Sequence, residues 1–197
     1  MQLAYLRGLA VNVDLERLAS DDMWRLGPIV HAVPLFEPIF EALDRADARY
    51  VVVGGVAVVL HGHTRLTADL DLAVDLSPEP ARRVVDALGS LGLRPAAPVD
   101  PASFADPSTR ERWRLERGML VFTMRDPDDP LRQVDLFVEE QVPFGELWDR
   151  SEIVVLEGIE VHVASIDDLI AMKERAGRPL DHDDIAELRR IKEERDE

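Results

Sequence analysis

The sequence predicts an α+β fold, a mixed sheet backed by helices with an α-helical C-terminal segment. Three observations lead there. Short apolar runs with strand character occur near residues 50–53, 69–76, 119–124 and 133–138. Segments with helical spacing lie between and before them, at 35–46 and 80–91. From Ser165 onward only helical spacing and helix caps are found.

Taken in order, residues 1–33 form an N-terminal extension of unassigned role, in which Leu15, Leu18 and Trp24 fit an amphipathic helix and Pro28 and Pro34 break the pattern. The core is predicted over 34–164 and the C-terminal helical segment over 165–197. Phe36, Ile39, Phe40 and Leu43 recur at helical spacing; Tyr50–Val53 reads as a buried strand, and Gly55–Leu60 as a short helix stopped by Gly62. In the strand 69–76, Leu70, Leu72 and Val74 face one way, and Asp69, Asp71, Ala73 and Asp75 the other. A helix follows over 80–91, then a proline-rich loop over 94–109. Two strands flank the turn Asp126-Pro-Asp-Asp-Pro130, and a hairpin forms around Glu157-Gly158. Ser165 with Asp168, and Asp181 with Asp184, have the spacing of helix caps; Gly177 and Pro179 separate the two helices.

Composition narrows the function classes. The 197 residues are 46% hydrophobic, enough for a core, and carry a net charge of −16. That charge argues against broad nucleic-acid binding and against adhesion to anionic membranes. With no cysteine there is no disulfide and no thiolate zinc site. The longest apolar run, Tyr50–Leu60, is 11 residues, against the roughly 20 of a spanning helix. The first residues lack the basic opening of a signal peptide, so the expected location is cytoplasmic.

The chemistry concentrates in residues 50–76. Asp69 and Asp71, one residue apart on a strand, point to the same face about 7 Å apart, where their oxygens can share a hard cation such as Mg²⁺. Alternating acids can also serve solubility alone, but like charges crowded on one face are unfavourable without a cation among them. Gly54-Gly55 makes a tight strand-to-helix turn, which can also aim backbone N–H groups at a phosphate. Arg65 and Thr67 precede the acids, and the planar fork of arginine suits a triphosphate. Asp135 is an acid in an otherwise apolar strand; it must lie at an edge or face a polar site. In the second case it is a third carboxylate, able to accept a proton from a hydroxyl or to complete metal coordination. Lys173 falls on the inward stripe of its helix after Ile166, Leu169 and Ile170, and either snorkels past the core or reaches a pocket. His61 and His63 lack a further good ligand and read as structural. The arginines of 110–117 read as a solvated helix face.

These residues together resemble the DNA polymerase β-like nucleotidyltransferase superfamily, and within it the AbiEii/AbiGii-type nucleotidyltransferases, the toxin side of some bacterial toxin–antitoxin and phage-abortive systems. The likeness spans about residues 35–191. It runs through Gly54-Gly55, His61-Gly62, Arg65-x-Thr67-x-Asp69-x-Asp71, Val134-Asp135-Leu136, Ser165 to Lys173, Gly177-Arg-Pro179 and Asp181-x-x-Asp184. One departure is Leu180, where the family usually has lysine. The resemblance implies that Gly54 and Gly55 hold nucleotide phosphates, with Arg65 and Thr67 on the same nucleotide side. It implies Mg²⁺ (or Mn²⁺) on Asp69 and Asp71, Asp135 as base or third ligand, and Lys173 against the phosphates. The expected activity is of the EC 2.7.7 class, moving a nucleoside monophosphate from an NTP to a hydroxyl of tRNA, protein or a small molecule. An antitoxin protein is the expected partner if the chain is a toxin. Two other readings stand beside it: a nucleotide-binding interaction module without catalysis, and an enzyme that modifies an antibiotic hydroxyl.

Overall fold

The computed structural model describes residues 27–63, 65, 67, 69–129 and 131–196. The helix suggested by Leu15, Leu18 and Trp24 lies outside them. Helix α1 (Gly27–Arg45) starts earlier than expected and runs through Pro34 and Pro38. Proline does not break it because Phe36, Ile39, Phe40 and Leu43 are buried along one face, and burial outweighs local propensity.

The remaining elements are β1 (Tyr50–Val53), α2 (Gly54–Leu60), β2 (Asp69–Val74), α3 (Pro78–Ser90), β3 (Arg94–Pro95), a 3₁₀ turn (Pro101–Ala105), α4 (Pro107–Arg117), β4 (Val121–Arg125), β5 (Gln133–Phe137), α5 (Phe144–Arg150), β6 (Glu152–Leu156), β7 (Ile159–Val163), α6 (Ile166–Ala176) and α7 (Pro179–Asp196). The seven strands form one mixed sheet in the order β3-β4-β5-β2-β1-β7-β6. Strand β2 is antiparallel to β1 and parallel to β5, while β7 runs parallel to β1. The fold is therefore α+β.

The predicted parity of β2 holds, and the register extends it across the sheet. Leu70 is level with Val134 and Met124, and Leu72 with Leu136 and Phe122, all buried on one face. Phe122 stacks there between Phe104 and Trp113. The segment read as a loop over 94–109 contains the edge strand β3, the 3₁₀ turn and the start of α4. One arginine of the supposedly solvated 110–117 stretch is buried. Arg110 donates to the carbonyls of Phe104 and Leu76, tying α4 to the end of β2. Helix α5 carried no clear signal in the sequence. In the hairpin, Glu157 and Gly158 both have positive φ, the backbone of a two-residue turn whose twist matches its strands. Ile166, Leu169, Leu188 and Ile191 of the C-terminal helices join the same core as the sheet. Among the described residues no helix is long and apolar enough to cross a membrane.

Candidate active site

The turn from β1 into α2 is built around a carboxylate. Gly54 has φ +64°, a left-handed conformation that glycine adopts without steric cost. A Cβ at Gly54 would lie 2.0 Å from Oδ2 of Asp71, and one at Gly55 would lie 2.5 Å from Oγ1 of Thr67 and 3.4 Å from Nη2 of Arg65. The glycine pair thus lets Asp71, Thr67 and Arg65 close over the turn. The Gly55 amide, one of the donors the sequence aims at phosphate, here donates to Asp71.

Strand register brings the acids together. Asp71 on β2 is directly level with Asp135 on β5, and Asp135 with Thr123 on β4. Strand β5 is interior to the sheet, so of the two alternatives for Asp135 the polar site applies. Burial, then the charge of Asp135, pushes the Asp71 carboxyl up to about 6. The Gly55 amide, and Arg178 at longer range, pull the other way. Asp135 is also raised, chiefly by burial and further by Asp69, against hydrogen bonds from Thr123 and Gln133. Thr123 is revealed only by the β4–β5 pairing, whereas Gln133 was within reach of the sequence, two residues from Asp135 on the same strand face.

Among the described residues, no three His, Cys, Asp or Glu side chains are gathered closely enough to form a ready metal cage. The donor chemistry nevertheless fits a hard divalent cation. Two in-register carboxylates, with Asp69 on the same face, are pushed toward the neutral form by burial and neighbouring acids, a penalty that a cation among them would relieve.

Lys173 neither snorkels nor stands free. Its side chain is buried, and Nζ donates to Asp184 Oδ2 at 2.6 Å and to Asp181 Oδ1 at 3.3 Å. Asp184 also accepts from Arg65 and lies 3.8 Å from His63 Nε2. Asp184 is therefore no helix cap, contrary to its spacing: it is a buried link between α7, α6 and the segment before β2. Asp181 does act at the helix start, accepting from the Arg178 amide at 3.2 Å. His61 is structural, as expected, with Nε2 2.8 Å from the Ala164 carbonyl oxygen.

A cleft of about 320 Å³ opens over this region, with Gly54, Phe137, Gln141, Lys173, Arg178 and Asp181 among its walls. That volume is within the range of small-ligand sites. Arg178 ion-pairs with Asp181 at 3.4 Å while its side chain stays 76% exposed. Arg175 donates to the carbonyl of Gln141, which also lines the cleft. No motif in the sequence marks either arginine as a site residue; Leu180, the departure from the family pattern, is 61% exposed.

A mixed sheet of this order, with acids on adjacent parallel strands beside a glycine turn, is the architecture of a nucleotidyltransferase. The chain belongs to the family described as nucleotidyltransferase of unknown function (DUF6036), whose model matches residues 33–193. Solved structures give the same fold. The solution structure of the antibiotic-resistance factor ANT(2'')-Ia aligns with a TM-score of 0.52 at 18% identity, over 82% of this chain and 83% of that one. The crystal structure of ANT(2'')-Ia in complex with adenylyl-2''-tobramycin aligns at 0.51 and 18% identity, over 79% and 86%. A search of curated proteins finds no match.

Proposed function

We propose that this protein is a divalent-metal-dependent nucleotidyltransferase that moves a nucleoside monophosphate from an NTP to an acceptor hydroxyl, with pyrophosphate leaving. The observation that carries the reading is the Asp71–Asp135 register on adjacent parallel strands, with Asp69 on the same face and Gly54 packed against Asp71. Asp69, Asp71 and Asp135 would hold Mg²⁺ (or Mn²⁺), which when bound supplies charge neutralisation for the triphosphate and the attacking oxygen.

The protein's own groups do the rest. Where Asp135 does not complete the metal's coordination, it would instead accept the hydroxyl proton, its affinity for protons being raised by burial. The triphosphate would lie along the cleft past Gly54, with Gly55, Thr67 and Arg65 packed together behind that wall. Lys173 has three donors and spends two on Asp181 and Asp184, leaving one N–H for a phosphate oxygen. Arg178, exposed on the cleft wall and ion-paired with Asp181, would supply the cation that Leu180 does not. Catalysis is then positioning plus charge neutralisation.

Within the superfamily, the AbiEii/AbiGii-type motifs favour a toxin with an antitoxin partner and a cytoplasmic site of action. The strongly acidic surface favours a second reading, transfer to a cationic antibiotic hydroxyl. One experiment tests the proposal and separates the acceptors. The protein is incubated with each α-labelled NTP and Mg²⁺ plus tRNA, cellular protein or aminoglycosides in separate pools, with Asp69→Ala and Asp71→Ala as controls. Label should enter one pool and vanish in both controls. NTP binding without transfer to any pool would leave the non-catalytic module; full transfer by the double variant would refute the mechanism.

A further inference from the structure

The register that aligns the acids continues outward into a row of different charge. Asp69 is level with Gln133 on β5, Gln133 with Arg125 on β4, and Arg125 with Arg94 on β3. Directly paired residues share a face, so Arg125 and Arg94 lie on the same side of the sheet as the carboxylates. At the usual spacing of strands they stand about 10 and 14 Å from β2. Both are exposed. Among the described residues neither has a hydrogen bond or ion pair, whereas Arg82, Arg132 and Arg190 each hold a carboxylate.

Two arginines directly opposite one another repel, and in a chain of net charge −16 acidic partners are plentiful. Their neighbours in the two rows are neutral hydrogen-bonding side chains, Gln133 and Thr123. We propose that Arg94 and Arg125 form a phosphate-binding track that seats the backbone of a single-stranded nucleic-acid acceptor beside the carboxylate site. The pair suits a chain of phosphates and disfavours a polycationic acceptor. The overall negative charge limits binding elsewhere on the surface, so this local track would select where the strand lies. The inference rests on the transferase reading for its role in the reaction, but the binding is measurable without chemistry.

The test is fluorescence anisotropy of the full chain with a labelled single-stranded RNA of about twelve nucleotides, a length one groove can span, without NTP. Arg94→Ala/Arg125→Ala should weaken binding at least about tenfold and flatten the dependence of log K on log salt by about 1.4, or about 0.7 per lost contact. Arg94→Gln and Arg125→Gln should each remove about half of that slope, which keeps the test open if the double variant misfolds. Arg117→Ala, on α4 across the sheet, should bind as wild type does. Wild-type protein that fails to bind this RNA at low salt overturns the proposal, as does a double variant with unchanged affinity and slope; the arginines then only protect a sheet edge. A separate NTP titration distinguishes the two readings. Arginine-dependent RNA binding with no NTP binding removes the transferase and leaves the track, and the converse removes only the track.

Discussion

Replacing Asp71 by asparagine should stabilise the protein while abolishing its activity. Burial and the facing Asp135 raise the Asp71 carboxyl from 3.8 to about 6 in the folded chain. The folded state therefore binds more protons than the unfolded state between those values, and stability falls as pH rises through that window. The ionisation penalty is complete above about pH 7 and amounts to about 3 kcal/mol at 1.36 kcal/mol per unit. Asparagine has the same shape, keeps an oxygen for the Gly55 amide and carries no charge. In metal-free buffer at pH 7.5 Asp71→Asn should melt about 6–12 °C above wild type. The gain should shrink by roughly half at pH 5 and nearly vanish by pH 4, as wild-type Asp71 protonates. Scanning calorimetry at the three pH values, with EDTA and then with Mg²⁺, reads all of this. Added Mg²⁺ should stabilise wild type more than the variant, because the cation acts on the charge the variant lacks. An Asp71→Asn protein no more stable than wild type at pH 7.5, or a gain independent of pH, would refute the account of this site as stored carboxylate repulsion.

Other perturbations separate positioning from charge. Gly54→Ala should cost about 1–2 kcal/mol for its left-handed backbone and also displace Asp71, so that transfer is lost in a protein that still melts cooperatively. Lys173→Met leaves Asp181 and Asp184 buried without their ammonium, and should lower stability in urea by about 3–5 kcal/mol; adding Asp184→Asn should recover part of that loss. Arg178→Ala should lower urea stability by no more than about 1 kcal/mol, its side chain being 76% exposed, yet raise KM for NTP several-fold. It should also shift the acid limb of the rate profile upward, since Arg178 helps hold the Asp71 carboxyl down.

The sequence revealed what depends on local period and missed what depends on pairing. The alternation of Leu70, Leu72 and Val74 against Asp69 and Asp71 is a property of six consecutive residues, and the strand follows it. Asp135 was legible because an acid inside an apolar strand demands a polar neighbour, but which neighbour depended on β5 lying parallel to β2 over 60 residues away. Thr123 looks like an ordinary strand residue until the β4–β5 register is known, while Gln133 shares the face of Asp135 by alternation alone. Asp184 illustrates the opposite error: its spacing from Asp181 matched a cap, and only the packing of α7 against α6 shows Lys173 and Arg65 as its partners. Arg110 was misread for the same reason, because the two carbonyls that bury it come from segments outside its own helix.

On the proposed reading, the order of the rows across the sheet would give the two substrates separate approaches. Counting along β5, Gln133 stands in the row of Arg125 and Arg94, Asp135 in the row of Asp71 and Val53, and Phe137 on the wall of the cleft. The cleft that holds Lys173 and Arg178 reaches the carboxylate row at Gly54, which packs on Asp71, and extends to Phe137 at the end of β5 away from Gln133. Displacement at phosphorus needs the attacking and leaving oxygens roughly in line, on opposite sides of the transferred group. On the proposed reading, an NTP whose pyrophosphate lies in the cleft would present its α-phosphate at the carboxylates, and the acceptor hydroxyl would attack from the arginine side. A nucleic-acid strand held by Arg94 and Arg125 would arrive from there. Arg94→Ala/Arg125→Ala should accordingly raise KM for the acceptor and leave KM for NTP unchanged, whereas Arg178→Ala should do the reverse. Equal effects of both variants on both substrates would mean that the two approaches are one.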